Sequence, residues 1–195
     1  MPRRLMLVVL TAVLLASPAL ADPITITETT LYYDITGATV AEIASSIRQN
    51  MPDETQGFVG LTGYTFKWTY DYAPDRDEAG KPNCEVSNPE VAITITTHLP
   101  RHRTIRNAPD AVTSLWKDYS VALQRHEAHH AEDFIAIGSQ IPAAIDAVET
   151  PDCSTIEATA NALGMDYVAR AQAAGDALDA TTDHGMTEGA SFPGL

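Results

Sequence analysis

His126-Glu127-Ala128-His129-His130 is the segment of this 195-residue chain whose residue types and spacing are best suited to chemistry. Residues four apart on a helix share a face, so the His126 and His130 imidazoles can aim nitrogens at one point while Glu127 stands beside it. That is metal-ligand geometry. Zinc accepts neutral imidazole readily, and three protein ligands leave a fourth position for water, whose pKa the cation lowers towards neutrality. Glu127 then serves as general base during attack on a carbonyl and passes the proton to the leaving group. The structural alternative is a pair of histidines satisfied by carboxylates or carbonyls on a packed helix face.

A third ligand has to come from elsewhere in the chain. Glu132 and Asp133 follow His130 too closely to curl back onto the same ion, which leaves Glu149, Glu157, Asp166, Asp183, His184 and Glu188. His184 is favoured. It lies just past the expected last helix, in Thr181-Thr182-Asp183-His184-Gly185, where glycine lets the backbone bend and an isolated histidine has little packing reason to exist. Its alternative is a solvated tail residue. His129 is displaced from the His126/His130 stripe and reads as a supporting or solvated side chain. Tyr119 and Tyr167 are candidate donors to a developing oxyanion, and otherwise core tyrosines.

The elements that must hold these residues follow from periodicity. Leu115, Tyr119, Leu123, His126, His130 and Phe134 form one stripe with three- and four-residue steps, which turns both histidines inward on a long helix opening at Pro109-Asp110. Gly138 and Pro142 mark a kink or break. Ser154 and Glu157 suggest a capping box before a last helix ending near Asp179. In the first half, Ile24-Thr25-Ile26-Thr27 with Leu31-Tyr32-Tyr33 predicts a strand, and Thr39 with Glu42 predicts a capped helix to about Asn50. Alternating residues from Tyr64 to Tyr70 and from Val91 to Thr97 predict two paired strands, with the Pro- and Gly-rich Ala73 to Pro89 as a loop. Val91 to Leu99 is either an interior strand or a cleft edge able to pair with an extended peptide.

Met1-Pro2-Arg3-Arg4, the apolar run Leu5 to Leu15 and Ala19-Leu20-Ala21 have the three zones of a signal peptide cleaved after Ala21. The apolar run is too short for a stable bilayer span, and no later segment approaches that length, so no membrane span is expected after cleavage. Residues 22–195 are expected to form one domain of the α+β class, periplasmic or secreted. The formal charge of −14 becomes −16 once Arg3 and Arg4 leave, which disfavours nucleic acid or an anionic membrane surface as partner. Two cysteines in an exported chain, Cys84 and Cys153, predict one disulfide.

The chain resembles a bacterial family, domain of unknown function 922, described as predicted secreted zinc-dependent proteases. The likeness rests on Tyr32-Tyr33-Asp34 with Gly37-Ala38-Thr39 and Glu42, Gly63-Tyr64-Thr65 with Trp68, Cys84 with the Val91 to Leu99 strand and Pro100, the His126 to His130 helix, and Thr182-Asp183-His184-Gly185. It implies a zincin-like fold with an antiparallel sheet beside the HExxH helix, with His126, His130 and His184 as Zn2+ ligands and Glu127 as catalyst. The expected activity is hydrolysis of a peptide or protein substrate. Two other readings stay open: a non-catalytic periplasmic zinc-binding or adaptor protein, and a zinc amidase or esterase acting on another cell-envelope substrate.

Overall fold

β-Branched and aromatic residues dominate the first half of the chain and helical periodicity the second, and the result is an α+β architecture. The computed structural model describes residues 22–195; the expected signal segment, 1–21, lies outside the described residues. In chain order the elements are β1 (Ile24–Ile35), α1 (Val40–Asn50), β2 (Leu61–Arg76), β3 (Pro82–His102), α2 (Asp110–Gly138), α3 (Ile141–Asp146), β4 (Glu149–Thr150) and α4 (Ile156–Thr182). No helix among the described residues is long and apolar enough to cross a membrane.

The sheet runs β1-β3-β2, with β4 adding a short pairing to β3. β2 and β3 form the expected antiparallel pair, Tyr64 facing Ile95 and Trp68 facing Val91. β1 corrects the expectation of an antiparallel sheet, because it pairs with β3 in parallel from Ile24↔Val91 to Ile35↔His102. β3 is therefore interior, and its edges are occupied by β1 and β2. Residues 73–89 also differ from expectation. The strand arms continue through Pro74↔Cys84 to Arg76↔Pro82, leaving a short turn between. Pro74 lies on an edge strand, where proline's missing N–H need not break a ladder.

α1 starts as its sequence predicts: Thr39 Oγ1 accepts from the Glu42 amide at 3.3 Å, and Glu42 Oε2 accepts from the Thr39 amide at 3.1 Å. Gly37 precedes it at φ 132°, and a Cβ there would lie 2.8 Å from the Ile43 nitrogen. The capping box expected at Ser154 does not form. Ser154 turns its amide and hydroxyl to Asp152, and α4 starts after Thr155 with no side-chain cap.

Two apolar clusters meet along α2. One joins Val91, Ile93 and Ile95 of β3 to Phe134, α3 and the start of α4. The other joins α1, the end of β1, Trp116, Tyr119 and Leu123 to Phe192 in the C-terminal segment. Cys84 and Cys153 form a disulfide with Cα atoms 5.2 Å apart, fastening β3 to the segment before α4.

Candidate functional site

The seam between the two clusters is where α2 becomes polar. His126, Glu127 and His130 are buried there, at 3%, 4% and 7% exposure, between Leu123 on one side and Phe134 on the other. Such a band is costly inside a protein unless its groups find partners.

The partner comes from α4. Ala171 and Gly175 let that helix approach α2 closely: a Cβ added at Gly175 would sit 3.3 Å from the Phe134 ring and 3.6 Å from His130 Nδ1. Asp179, one turn further on, then places Oδ1 3.1 Å from His126 Nε2 and 3.1 Å from His130 Nε2, while the two Nε2 atoms are 3.2 Å apart. These three atoms form a compact donor group suited to a metal ion.

His184, the expected third ligand, lies beside this group and not within it. His184 is on the solvent side, its side chain 55% exposed, with Nδ1 3.6 Å from the same Asp179 oxygen. Its ring packs 5.2 Å from Phe58. It borders the donor group, and Asp179 occupies the position between the imidazoles. Asp179 was hidden at the expected end of the last helix. Its signal was the spacing of Gly164, Ala171, Gly175 and Asp179, a row of small residues at helical intervals that marks a close-packed face and ends on a carboxylate.

Glu188 also enters the site. Its Oε2 accepts from His126 Nδ1 at 3.0 Å, and its Oε1 lies 3.4 Å from Nδ1 of the half-exposed His129. A neutral His126 that gives its one proton to Glu188 presents a bare Nε2 lone pair to the Asp179 oxygen. A cation between Nε2 and Oδ1, or a second ring proton on His126, satisfies these two acceptors at 3.1 Å. Burial also lowers the pKa of His130, favouring the neutral imidazole that binds metals. A tetrahedral zinc ion with donors at about 2.0–2.1 Å has donor–donor edges of about 3.3 Å, close to the separations found here. The three residues fit such an ion.

Glu127 faces a cleft of about 970 Å3 bounded by residues 56–64, α2, α4 and the C-terminal segment. Thr62 on β2 donates its hydroxyl to Glu127 Oε2 at 2.8 Å, with the Thr97 hydroxyl of β3 3.1 Å behind it. Gly60 is the reason the carboxylate fits, since a Cβ there would lie 2.6 Å from Glu127 Oε1. Burial pushes the Glu127 carboxyl up to about 7, against the lowering effect of Thr62. Tyr119 lines the same cleft, and burial holds its hydroxyl protonated well above the ordinary range. Tyr167 does not line it; its ring lies under the Arg170 guanidinium, 4.4 Å away.

The model of a family described as bacterial protein of unknown function (DUF922) matches residues 30–185. No curated protein and no solved structure matches the chain.

Proposed function

We propose that this chain, which belongs to the bacterial family of unknown function DUF922, is an exported zinc-dependent hydrolase of zincin type that cleaves an amide bond in a peptide. The observation that carries the reading is a buried carboxylate, Glu127, opening onto a cleft beside a compact group of two imidazole nitrogens and one carboxylate oxygen. His126, His130 and Asp179 would hold the ion. When bound, zinc supplies a Lewis acid that polarises a carbonyl and makes a water acidic enough to lose a proton near neutral pH.

The remaining chemistry belongs to the chain's own side chains. Glu127, buried beside the donor group with its carboxyl pushed up by burial, would take a proton from the attacking water and return it to the leaving amine. The Thr62 hydroxyl supports the ionised form and orients the carboxylate. Tyr119, protonated at any physiological pH, is available as a donor to a developing oxyanion.

A peptide is favoured as substrate because Leu61–Tyr64 of β2 line the cleft, and among the described residues β2 is paired in the sheet only to β3. Its outer edge offers main-chain donors and acceptors to an extended chain. Among the described residues the lining carries no lysine or arginine and includes Asp176, which suits neutral or cationic peptides.

The test is zinc stoichiometry and peptide cleavage by the zinc-repleted mature chain and its Glu127→Gln variant. The expected result is one zinc per chain in both, with cleavage reduced about 10²–10⁴-fold in the variant. A wild type that binds zinc but cleaves no member of a broad peptide library is a zinc-binding protein instead. Cleavage of other envelope amides or esters alone would move the substrate class and keep the mechanism.

A further inference from the structure

We propose, resting on the metal reading above, that Glu188 is a positioning residue that fixes the metal-binding tautomer of His126 and couples metal loading to docking of the C-terminal strap that walls the cleft. A carboxylate can only accept, so the 3.0 Å contact between Glu188 Oε2 and His126 Nδ1 places the neutral ring's one proton on Nδ1. The Nε2 lone pair is thereby aimed at the donor group. His130 has no such support, since its Nδ1 is buried without a partner. Among the described residues, carboxylate support at the Nδ1 side of these two imidazoles therefore comes from Glu188.

Glu188 sits in a turn, Met186–Glu188, at the root of the strap. Arg125 donates to its main-chain oxygen at 2.6 Å, and His129 shares its carboxylate. Just before it, the strap passes so close to the metal site that a Cβ on Gly185 would lie 2.8 Å from His126 Cγ. Beyond it, Phe192 is 3% exposed, its ring 5.2 Å from Tyr119 and 5.9 Å from Trp116. Met186, Ala190, Phe192 and Leu195 form part of the cleft wall. Binding free energies are reciprocal: if docking of the strap through Glu188 strengthens metal binding, metal binding must strengthen docking by the same factor. An apo chain then has a looser cleft wall, and metal loading completes it.

The experiment measures zinc affinity by competition with a chromophoric chelator for the mature wild type, Glu188→Ala, Glu188→Gln and Asp118→Ala. Hydrogen exchange of the amides from Met186 to Phe192 is followed with and without zinc. Loss of a carboxylate that orients a metal-bound histidine weakens affinity 10–100-fold, so Glu188→Ala is expected to fall in that range. Glu188→Gln should lose less, because its amide oxygen still accepts from Nδ1. Asp118→Ala removes the same charge from an exposed position of α2 and should leave affinity unchanged. Zinc should slow strap exchange in the wild type and not in Glu188→Ala.

Unchanged affinity in Glu188→Ala, an equal loss in Asp118→Ala, or strap exchange indifferent to zinc in the wild type would each overturn the role of Glu188 while leaving the metal reading intact. A wild type that binds no zinc overturns both. Should Glu188→Ala fail to fold by circular dichroism, the Glu188→Gln affinity and the wild-type exchange experiment decide.

Discussion

Glu127 is the residue in which burial and chemistry conflict most directly. Without a cation its ionised form is disfavoured, and its carboxyl is pushed from 4.5 to about 7 by burial. A group whose folded pKa is raised contributes stability that is fully present below its unfolded pKa and lost as pH rises through the folded one. The window here is pH 4.5 to 7. In chelator-treated protein, urea unfolding should show wild type losing stability relative to Glu127→Gln between pH 5 and pH 8, by roughly 2–3 kcal/mol. Gln carries no charge to desolvate, so its own curve lacks this component. A difference between the two proteins that is the same at both pH values would mean that Glu127 ionises at no cost. At this scale the sequence was informative where chemistry is local: His126, Glu127 and His130 lie within five residues, and helical spacing alone puts them together. It was less informative for Asp179, because a carboxylate 49 residues beyond His130 is brought in by how two helices pack, and its one trace is the row of small residues on α4 that ends on it.

The packing of α4 explains how that distant carboxylate is delivered. Gly164 abuts the indole of Trp68 on β2, where an added Cβ would approach ring carbons to 2.5 Å. Trp68 Nε1 donates to Asn161 Oδ1 at 3.0 Å, which holds the ring in place. Gly164→Ala should therefore destabilise by about 1–3 kcal/mol through overpacking, although alanine is intrinsically the better helix former by about 1 kcal/mol. Urea midpoints check the sign: a stabilised variant would show that the indole swings away freely and that α4 is not seated by this contact. The elements themselves were legible wherever one physical signal acted alone. The Thr39–Glu42 box, the break between Gly138 and Pro142, and the alternation of β2 and β3 all appear as read. The failures occur where two local signals compete. Pro74, Gly80 and Pro82 read as a loop over residues 73–89, yet pairing at the sheet edge tolerates the prolines. Ser154 resembled a cap, but Asp152, two residues away, takes its amide. The direction of β1 was not encoded locally at all, since it depends on which neighbour the strand finds.

For the molecule as a whole, α4 is tied at both ends. The Cys84–Cys153 bond, spanning 69 residues, fastens the segment before it to β3, and Asp179 meets the α2 imidazoles near its far end. The enclosed loop contains all of α2, so the cross-link removes from the unfolded chain conformations in which the two halves of the site are far apart. In the chain-entropy description a loop of this length is worth about 4 kcal/mol. Reduction and alkylation of both cysteines should lower the urea midpoint by a corresponding amount, with an increased m-value as the unfolded chain expands. Cys84 is fully buried, so the reduction requires unfolding first. The informative comparison is the refolded, alkylation-free Cys84→Ala/Cys153→Ala chain with and without zinc. Because the disulfide restrains one end of α4 and a zinc ion held by Asp179 would restrain the other, the double variant should lose stability yet recover part of it on zinc addition, through preferential binding to the folded state. If the double variant folds and binds zinc as tightly as wild type, the disulfide stabilises without shaping the site. If its zinc affinity falls, the seating of α4 against the sheet is what brings Asp179 to the histidines.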